Sequence, residues 1–353
     1  GLAIGEIEAG SLITFELLVI GLGSMLLAPL MSRLRHHLVA IFGAVLLISA
    51  QYLSSESVSL DELYIWRLLG GLGAACLVAT ANAAIAQARL STLLYGLAWA
   101  SAYTVTAILA VLLSETNDLI SFDVVYKALA LAMILILPLL WLVPRHASTS
   151  SQKQSIPTGS FLNGALLLLG IVFIGISMMA YYAYLGQLVV NIDANSTATG
   201  WIIAIAQIAG IAGGLLAAPL ANRLGVIKAL SITSIMHALA ISLAIATDSI
   251  MVLGIAAFVE AVLFIIMIPL MLTLSANIDK KGRWAAAAGG AFTLSTAFGP
   301  IIGAWLIELW GYSAIVWLQF IATLPAIAIF IRVNKITNLS GEQNGSKETQ
   351  SAA

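Results

Sequence analysis

The chain alternates between long apolar runs and short polar segments. Eleven of the runs are long enough to cross a bilayer as helices, which takes about 20 residues each. They are predicted at 9–31, 37–55, 63–87, 92–114, 124–144, 161–190, 197–221, 226–247, 249–276, 284–307 and 312–333. The pattern therefore predicts an all-α polytopic membrane protein with eleven transmembrane helices.

The charges of the loops fall on two opposite sides of these predicted helices. Thirteen of the fifteen Lys and Arg residues lie on one side, here called the basic face; in the loops these are Arg33, Arg35, Arg89, Arg145, Lys153, Arg223, Lys228, Lys280, Lys281 and Arg283. Acidic residues dominate the other side, the acidic face. Because Lys and Arg collect in cytoplasmic loops, the basic face is predicted to be cytoplasmic, with the C-terminus inside and the protein in the cytoplasmic (inner) membrane.

A short segment of the first half returns in the second half. Residues 28–34 read Ala-Pro-Leu-Met-Ser-Arg-Leu, and residues 218–224 read Ala-Pro-Leu-Ala-Asn-Arg-Leu, an offset of 190 residues. Duplicated halves of several spans each are typical of secondary transporters. The sequence thus predicts an N-terminal bundle at 1–144 and a C-terminal bundle at 161–333.

Two polar stretches complete the predicted organisation. The stretch at 145–160 has the composition of a flexible cytoplasmic linker between the bundles. The stretch at 334–353 is predicted to be a disordered cytoplasmic tail. The run at 161–190 precedes the second copy of the repeat, so its counterpart would lie before residue 1. We therefore expect a twelve-span protein that lacks its first helix in this chain.

Composition narrows the class of protein. The chain is 61% hydrophobic and 9% charged, whereas a soluble domain is about 25% charged. Cys76 is the only cysteine, which excludes an internal disulfide and a cysteine-based metal cluster. The basic residues form no patch, so nucleic-acid binding is not expected. Neither a metal nor a cofactor is predicted.

Two motifs resemble those of the major facilitator superfamily. Residues 28–37 are similar to its loop between the second and third helices, with Arg33 at the family arginine and Ser32 in place of the family aspartate. The second copy reads Asn222-Arg223-Leu224-Gly225. Residues 67–74, Arg-Leu-Leu-Gly-Gly-Leu-Gly-Ala, resemble the Arg-x-x-x-Gly-x-Gly pattern of the family's fourth helix.

This resemblance implies two pseudo-symmetric six-helix bundles that rock about a central site. It also implies a cytoplasmic gating motif that comprises Arg33, Arg223 and Gly225, although both copies lack the acidic residue of that motif. The Gly-Pro signature of drug–proton antiporters is absent from 92–114, which contains no Pro. By this resemblance the protein works as a monomer within the lipid bilayer.

Glu260 is the first candidate for a functional residue. A charge within the hydrocarbon is costly, and Glu260 lies near the middle of the run 249–276. Loss of solvation favours the neutral form of a carboxyl group, as a proton carrier requires. The alternative is a protonated carboxyl that merely bonds a neighbouring helix. His237, midway along 226–247, is interpreted as a lone neutral histidine.

Glu16 and Arg67 form a second candidate site. Both lie near the acidic-face ends of their predicted helices, and a buried arginine–carboxylate pair would satisfy both groups. Such a pair is interpreted as a gating or coupling element, or else as a structural clamp. A third reading is an arginine that extends towards the interface.

A group of polar and aromatic residues lies in the run 161–190. Tyr181, Tyr182, Tyr184 and Gln187 would suit a ring-bearing or amphipathic solute, because tyrosine offers an apolar face and a hydroxyl group. The alternative is an aromatic belt at the membrane interface.

These observations predict a transporter that moves a small organic solute by alternating access. Proton coupling is the expected energy source, and efflux is favoured over uptake. A non-transporting sensor or assembly protein of the same fold remains the alternative. An enzyme is not expected, because a catalytic constellation needs more ionisable groups than Glu260 and His237 provide.

Overall fold

The computed structural model describes residues 6–116, 122–144, 160–192, 196–279 and 281–351. Its α-helices are α1 (Glu6–Leu27), α2 (His36–Ser55), α3 (Leu60–Ala86), α4 (Ser91–Thr116), α5 (Phe122–Ile136), α6 (Ser160–Tyr182), α7 (Leu185–Asn191), α8 (Ser196–Leu224), α9 (Val226–Ala246), α10 (Ile250–Ile278), α11 (Arg283–Trp310) and α12 (Ser313–Ser351). All but the last residue of the predicted linker at 145–160 lies outside these ranges.

The observed helices follow the eleven predicted runs. Within the described ranges, ten stretches have the length and hydropathy needed to cross a membrane. The eleventh run, 92–114, is covered by the 26-residue helix α4. The predicted all-α membrane fold is therefore confirmed.

Proline and capping residues explain several helix ends. Pro29 and Pro138 lack an amide proton, and at these points α1 and α5 give way to 3₁₀ turns at Ala28–Ser32 and Leu137–Leu142. The side chain of Ser59 accepts a hydrogen bond from the Glu62 amide at 3.3 Å, which caps the start of α3.

Two details differ from the predicted runs. The run 161–190 is interrupted between α6 and α7, at Ala183 and Tyr184. At the other end, α12 continues to Ser351, through the stretch for which the sequence predicts a disordered tail. Extending an existing helix requires no new nucleus, so a polar segment can continue it.

The helices repeat with the offset found in the sequence. α1 and α8 begin at 6 and 196, α2 and α9 at 36 and 226, and α3 and α10 at 60 and 250. Corresponding pairs also pack alike, since α2 packs on α3 as α9 packs on α10. The two halves are thus pseudo-symmetric bundles, as predicted.

The bundles meet most extensively through α1 with α11 and α4 with α8, and further through α3 with α11 and α4 with α10. Glycines allow close approach at the first two pairs. A methyl group on Gly96 would collide with the carbonyl of Gly214, and one on Gly290 would reach the Gly21 carbonyl at 2.6 Å. The Ser24 hydroxyl donates to the Ala286 carbonyl at 3.1 Å, directly across the contact.

The buried segments of α10 and α11 show where the two bundles are in close contact. In α10, every residue from Leu263 to Ala276 is buried, and in α11 so is every residue from Ala285 to Phe292. These segments form the basic-face halves of both helices. In the acidic-face halves, exposed positions alternate with buried ones. The bundles are therefore closed against each other at the basic face.

Candidate functional site

A buried carboxyl–imidazole pair lies inside the C-terminal bundle. Glu260 of α10 and His237 of α9 are each 1% exposed, and Glu260 Oε1 lies 3.1 Å from His237 Nε2. Ten residues separate Glu260 from the start of α10, which places it about 15 Å from the acidic face. The histidine predicted to be alone thus has a carboxyl partner, and this correction joins two residues that the sequence left apart.

Three buried polar atoms around this pair have no hydrogen-bond partner among the described residues. They are Glu260 Oε2, the Tyr181 hydroxyl and Gln207 Oε1. The Tyr181 and Tyr182 hydroxyls interact electrostatically with the Glu260 carboxyl. Gln207 Nε2 donates to the Tyr182 hydroxyl at 3.4 Å. The pair is therefore part of a polar group with unused acceptors, and leaving such atoms unpaired costs free energy.

Aromatic rings extend this polar group across the boundary between the bundles. Tyr182 stacks on Phe264 with centroids 6.1 Å apart and planes 18° apart. Phe264 contacts Phe292 of α11, which meets Trp99 of α4 edge-to-face at 5.8 Å. Trp99 in turn lies beside Tyr103.

The residues around this pair are called the central cluster below: Trp99, Tyr103, Tyr181, Tyr182, Gln207, His237, Glu260, Phe264 and Phe292. Its members come from both bundles and are buried to different extents. Glu260, His237, Tyr181, Phe264 and Phe292 are buried, whereas Trp99, Tyr103, Tyr182 and Gln207 keep some exposed surface. The buried ionisable pair Glu260–His237 thus lies beside aromatic rings that are partly exposed.

Arg67 organises a separate site in the N-terminal bundle. Its Nη1 donates to Glu16 Oε2 at 3.4 Å, and its Nη2 donates to Ser54 Oγ at 2.6 Å and to Gln51 Oε1 at 3.2 Å. The guanidinium also lies 4.8 Å from the centre of the Tyr126 ring. The contact expected between Glu16 and Arg67 is present, and it connects four helices of one bundle.

The predicted tyrosine group is divided by the break between α6 and α7. Tyr181 and Tyr182 belong to the central cluster. The Tyr184 hydroxyl instead donates to the Pro300 carbonyl of α11 at 3.0 Å. Gln187, on α7, is exposed. The structure therefore separates Tyr184 and Gln187 from the buried carboxyl.

The two copies of the loop motif lie exposed on the basic face. Arg33 and Arg223 are both exposed. Across the described ranges neither arginine lies within ion-pairing distance of a carboxylate. Gly225 has φ of 79°, which favours glycine where the chain turns from α8 into α9. The gating role of these residues stays a prediction.

Sequence reasoning missed the three residues that connect Glu260 to the other bundle, Trp99, Phe264 and Phe292, and it missed the contact between Glu260 and His237. The phenylalanines are indistinguishable from ordinary core residues along the chain. A usable signal did exist for His237, because it lies ten residues before Thr247 and Glu260 lies eleven after Ser249. Two antiparallel helices joined there place both residues at one depth.

Comparison with known proteins gives one match. The family model described as Major Facilitator Superfamily matches residues 167–351. No curated protein matches the chain at a significant level. The matched region covers more than half of the sequence, and the helical repeat extends the same organisation to the other half. The chain therefore belongs to the Major Facilitator Superfamily and is a multi-pass membrane transporter.

Proposed function

We propose that the protein is a proton-coupled transporter of a small organic solute, in which Glu260 carries the proton. The observation that carries this proposal is the Glu260–His237 pair, 1% exposed on both sides and 3.1 Å apart. Aromatic rings connect the pair to α4 of the other bundle, which supports a solute site shared by both bundles. The proposed setting is the cytoplasmic membrane, with the basic face inside.

The pair can hold a proton in two ways. When Glu260 is ionised it can only accept hydrogen bonds, so His237 Nε2 must donate to it. When Glu260 is protonated, the proton can lie on either carboxyl oxygen, and Oε2 has no other partner among the described residues. Because an imidazole nitrogen can donate or accept, His237 can bond either form of the carboxyl group, whereas an arginine could only donate.

The closed basic face supports alternating access. Because these segments of α10 and α11 are buried at the basic face, we infer that a solute enters the central cluster from the acidic face in this state. Rocking of the bundles about the α1–α11 and α4–α8 contacts would then open the opposite side. We propose efflux as the direction, because one carboxyl group within the solute site makes proton and cation binding mutually exclusive.

The test begins with identification of a solute. Purified full-length protein is screened with sugars, amino acids, organic acids and aromatic amines by their effect on thermal unfolding, since a ligand of the folded state raises apparent stability. The solute found is then followed in proteoliposomes with a pH gradient imposed in either direction. We expect flux that reverses with the gradient.

Glu260→Gln is the decisive variant, because it keeps the shape and removes the titratable group. We expect it to lose gradient-driven flux. Glu308→Gln is the matched control, since Glu308 lies exposed at the acidic-face end of neighbouring α11. Wild-type flux and pH dependence in Glu260→Gln would refute the coupling role. Binding without flux in any gradient would favour the sensor alternative.

A further inference from the structure

We propose that the central cluster binds a planar aromatic amine in its protonated form, with the N–H groups directed at Glu260. This inference rests on the proposed function, because it names the solute for the same site. It begins from the unused hydrogen-bonding capacity there. Two of the three unpartnered atoms, Glu260 Oε2 and Gln207 Oε1, are acceptors when the carboxyl is ionised, and the third, the Tyr181 hydroxyl, can accept as well.

Acceptors without partners require donors from the ligand. A protonated amine supplies two or three N–H groups together with a positive charge, and hydrogen bonds between charged groups are among the strongest. A carboxylate or phosphate would instead bring further acceptors and a like charge. No lysine or arginine belongs to the central cluster, so an anion would find no fixed cation there.

The ring part of the ligand follows from the aromatic wall. Tyr182 and Phe264 are stacked nearly parallel, 18° apart, and Trp99 meets Phe292 edge-on. Tyr182 and Trp99 both keep exposed surface, so each can offer ring area to a bound molecule. A planar cation gains both stacking and cation–π attraction from such a surface.

The groups around Glu260 determine how amine binding depends on protonation of its carboxyl group. The groups facing it are His237 from α9, Tyr181 and Tyr182 from α6 and Tyr103 from α4. His237 is the only one of these groups that can carry a positive charge. When an ammonium ligand binds a protonated Glu260, the carboxyl releases its proton to water and the ammonium keeps its own. Amine binding should therefore weaken as the pH falls.

Three probes of similar tricyclic shape test the ligand class. They are 9-aminoacridine, a cation with N–H donors; 10-methylacridinium, a cation without them; and 9-anthracenecarboxylate, an anion. Equilibrium dialysis on purified full-length protein needs no gradient and no flux. We expect 9-aminoacridine to bind most tightly, 10-methylacridinium more weakly and the anthracene carboxylate not at all.

Two variants connect this binding to the named atoms. Glu260→Gln should weaken binding of 9-aminoacridine by at least about tenfold, since a hydrogen bond to a charged group is lost. Gln207→Met keeps the length of the side chain but removes Oε1, and should weaken binding less. It also provides an independent test where Glu260→Gln does not fold. Glu308→Gln should bind as the wild type does.

The outcomes separate this inference from the proposed function. Equal binding of the anion, or unchanged binding of 9-aminoacridine in both variants, overturns the ligand class. If another solute shows pH-driven flux that Glu260→Gln abolishes while no amine binds, proton coupling is supported and the proposed ligand class is wrong. If amines bind through Glu260 but no flux depends on pH, the ligand class is supported and proton coupling is wrong.

Discussion

Each bundle contains a carboxyl group with a basic partner, and the two pairs differ in kind. Glu16 faces Arg67, a permanent cation that also bonds Ser54 and Gln51. Glu260 faces His237, and its second oxygen has no described partner. A guanidinium can only donate hydrogen bonds, whereas an imidazole nitrogen can donate or accept and so can bond either form of a carboxyl group. Glu16–Arg67 is called the fixed pair below and Glu260–His237 the switching pair.

The repeat shows that the two pairs are not copies of each other. At the 190-residue offset, Glu260 and His237 correspond to Gly70 and Leu47 in the first half. A methyl group on Gly70 would lie 3.8 Å from Leu47 Cδ1 and 3.5 Å from Glu16 Oε1, so neither member of the Glu260–His237 pair is repeated there. Arg67 corresponds in turn to Ala257. The two bundles thus share helix positions but place their ion pairs at different residues.

The largest effect should come from breaking the fixed pair. Arg67→Gln leaves Glu16, whose side chain is 22% exposed, without its cation. Removal of one partner costs about 3–5 kcal/mol in a fully buried pair, and this pair should approach the lower end of that range. We expect a large fall in the unfolding temperature of purified protein. The double variant Glu16→Gln with Arg67→Gln should recover much of the loss. A mild effect of Arg67→Gln alone would mean that the clamp contributes little.

A smaller effect should follow when the contact between the two bundles is strained. Gly96→Ala places a methyl group against the Gly214 carbonyl, and overpacking of this kind costs about 1–3 kcal/mol. The unfolding temperature should fall, and flux should fall with it. Gly254→Ala is the matched control in α10, because its methyl group would meet only Ile202 at 4.0 Å. Equal behaviour of both variants would exclude a tight interface.

The switching pair predicts a shift in pH dependence. His237→Leu removes the hydrogen-bond partner of Glu260 Oε1, so the pH dependence of transport should change. His237→Gln retains a donor and should change it less. An unchanged pH dependence in His237→Leu would contradict the assignment.

The smallest effect concerns the exposed ion pair of the acidic face. Lys127 Nζ lies 2.8 Å from Glu56 Oε1 and 3.7 Å from Asp123 Oδ2, and all three side chains are more than 40% exposed. Solvent screens such pairs, so Lys127→Gln should leave both unfolding temperature and pH midpoint unchanged. A clear loss of stability would show that this contact is not equivalent to a surface pair.

The bounds of the helices were predictable because an apolar run must match the thickness of the bilayer. Thus the run 226–247 became Val226–Ala246, and 249–276 became Ile250–Ile278. The Glu16–Arg67 contact was also predictable as one of the alternatives, since both residues lie near one face and a carboxylate–arginine pair satisfies both groups.

The His237–Glu260 contact required more than depth. Depth along the hairpin matches the two residues, but rotation of each helix about its axis decides whether their side chains meet. That rotation is set by packing across both bundles, which involves residues such as Phe264 and Trp99. For the same reason the break before α7, which moves Gln187 to the surface, was not visible in an uninterrupted apolar run.

The glycine contacts between the bundles have a mechanical consequence. Where Gly96 meets Gly214, the nearest atoms are backbone and the methyl groups of Ala100 and Ala217, whereas Leu294 and Met25 pack onto Gly21 and Gly290. Helices whose long side chains interdigitate move past each other in steps of one helical turn. Where only backbone and methyl groups are in contact, as between α4 and α8 at Gly96, the helices can shift or tilt by smaller distances. The α4–α8 contact should therefore allow a continuous change of the angle between the bundles.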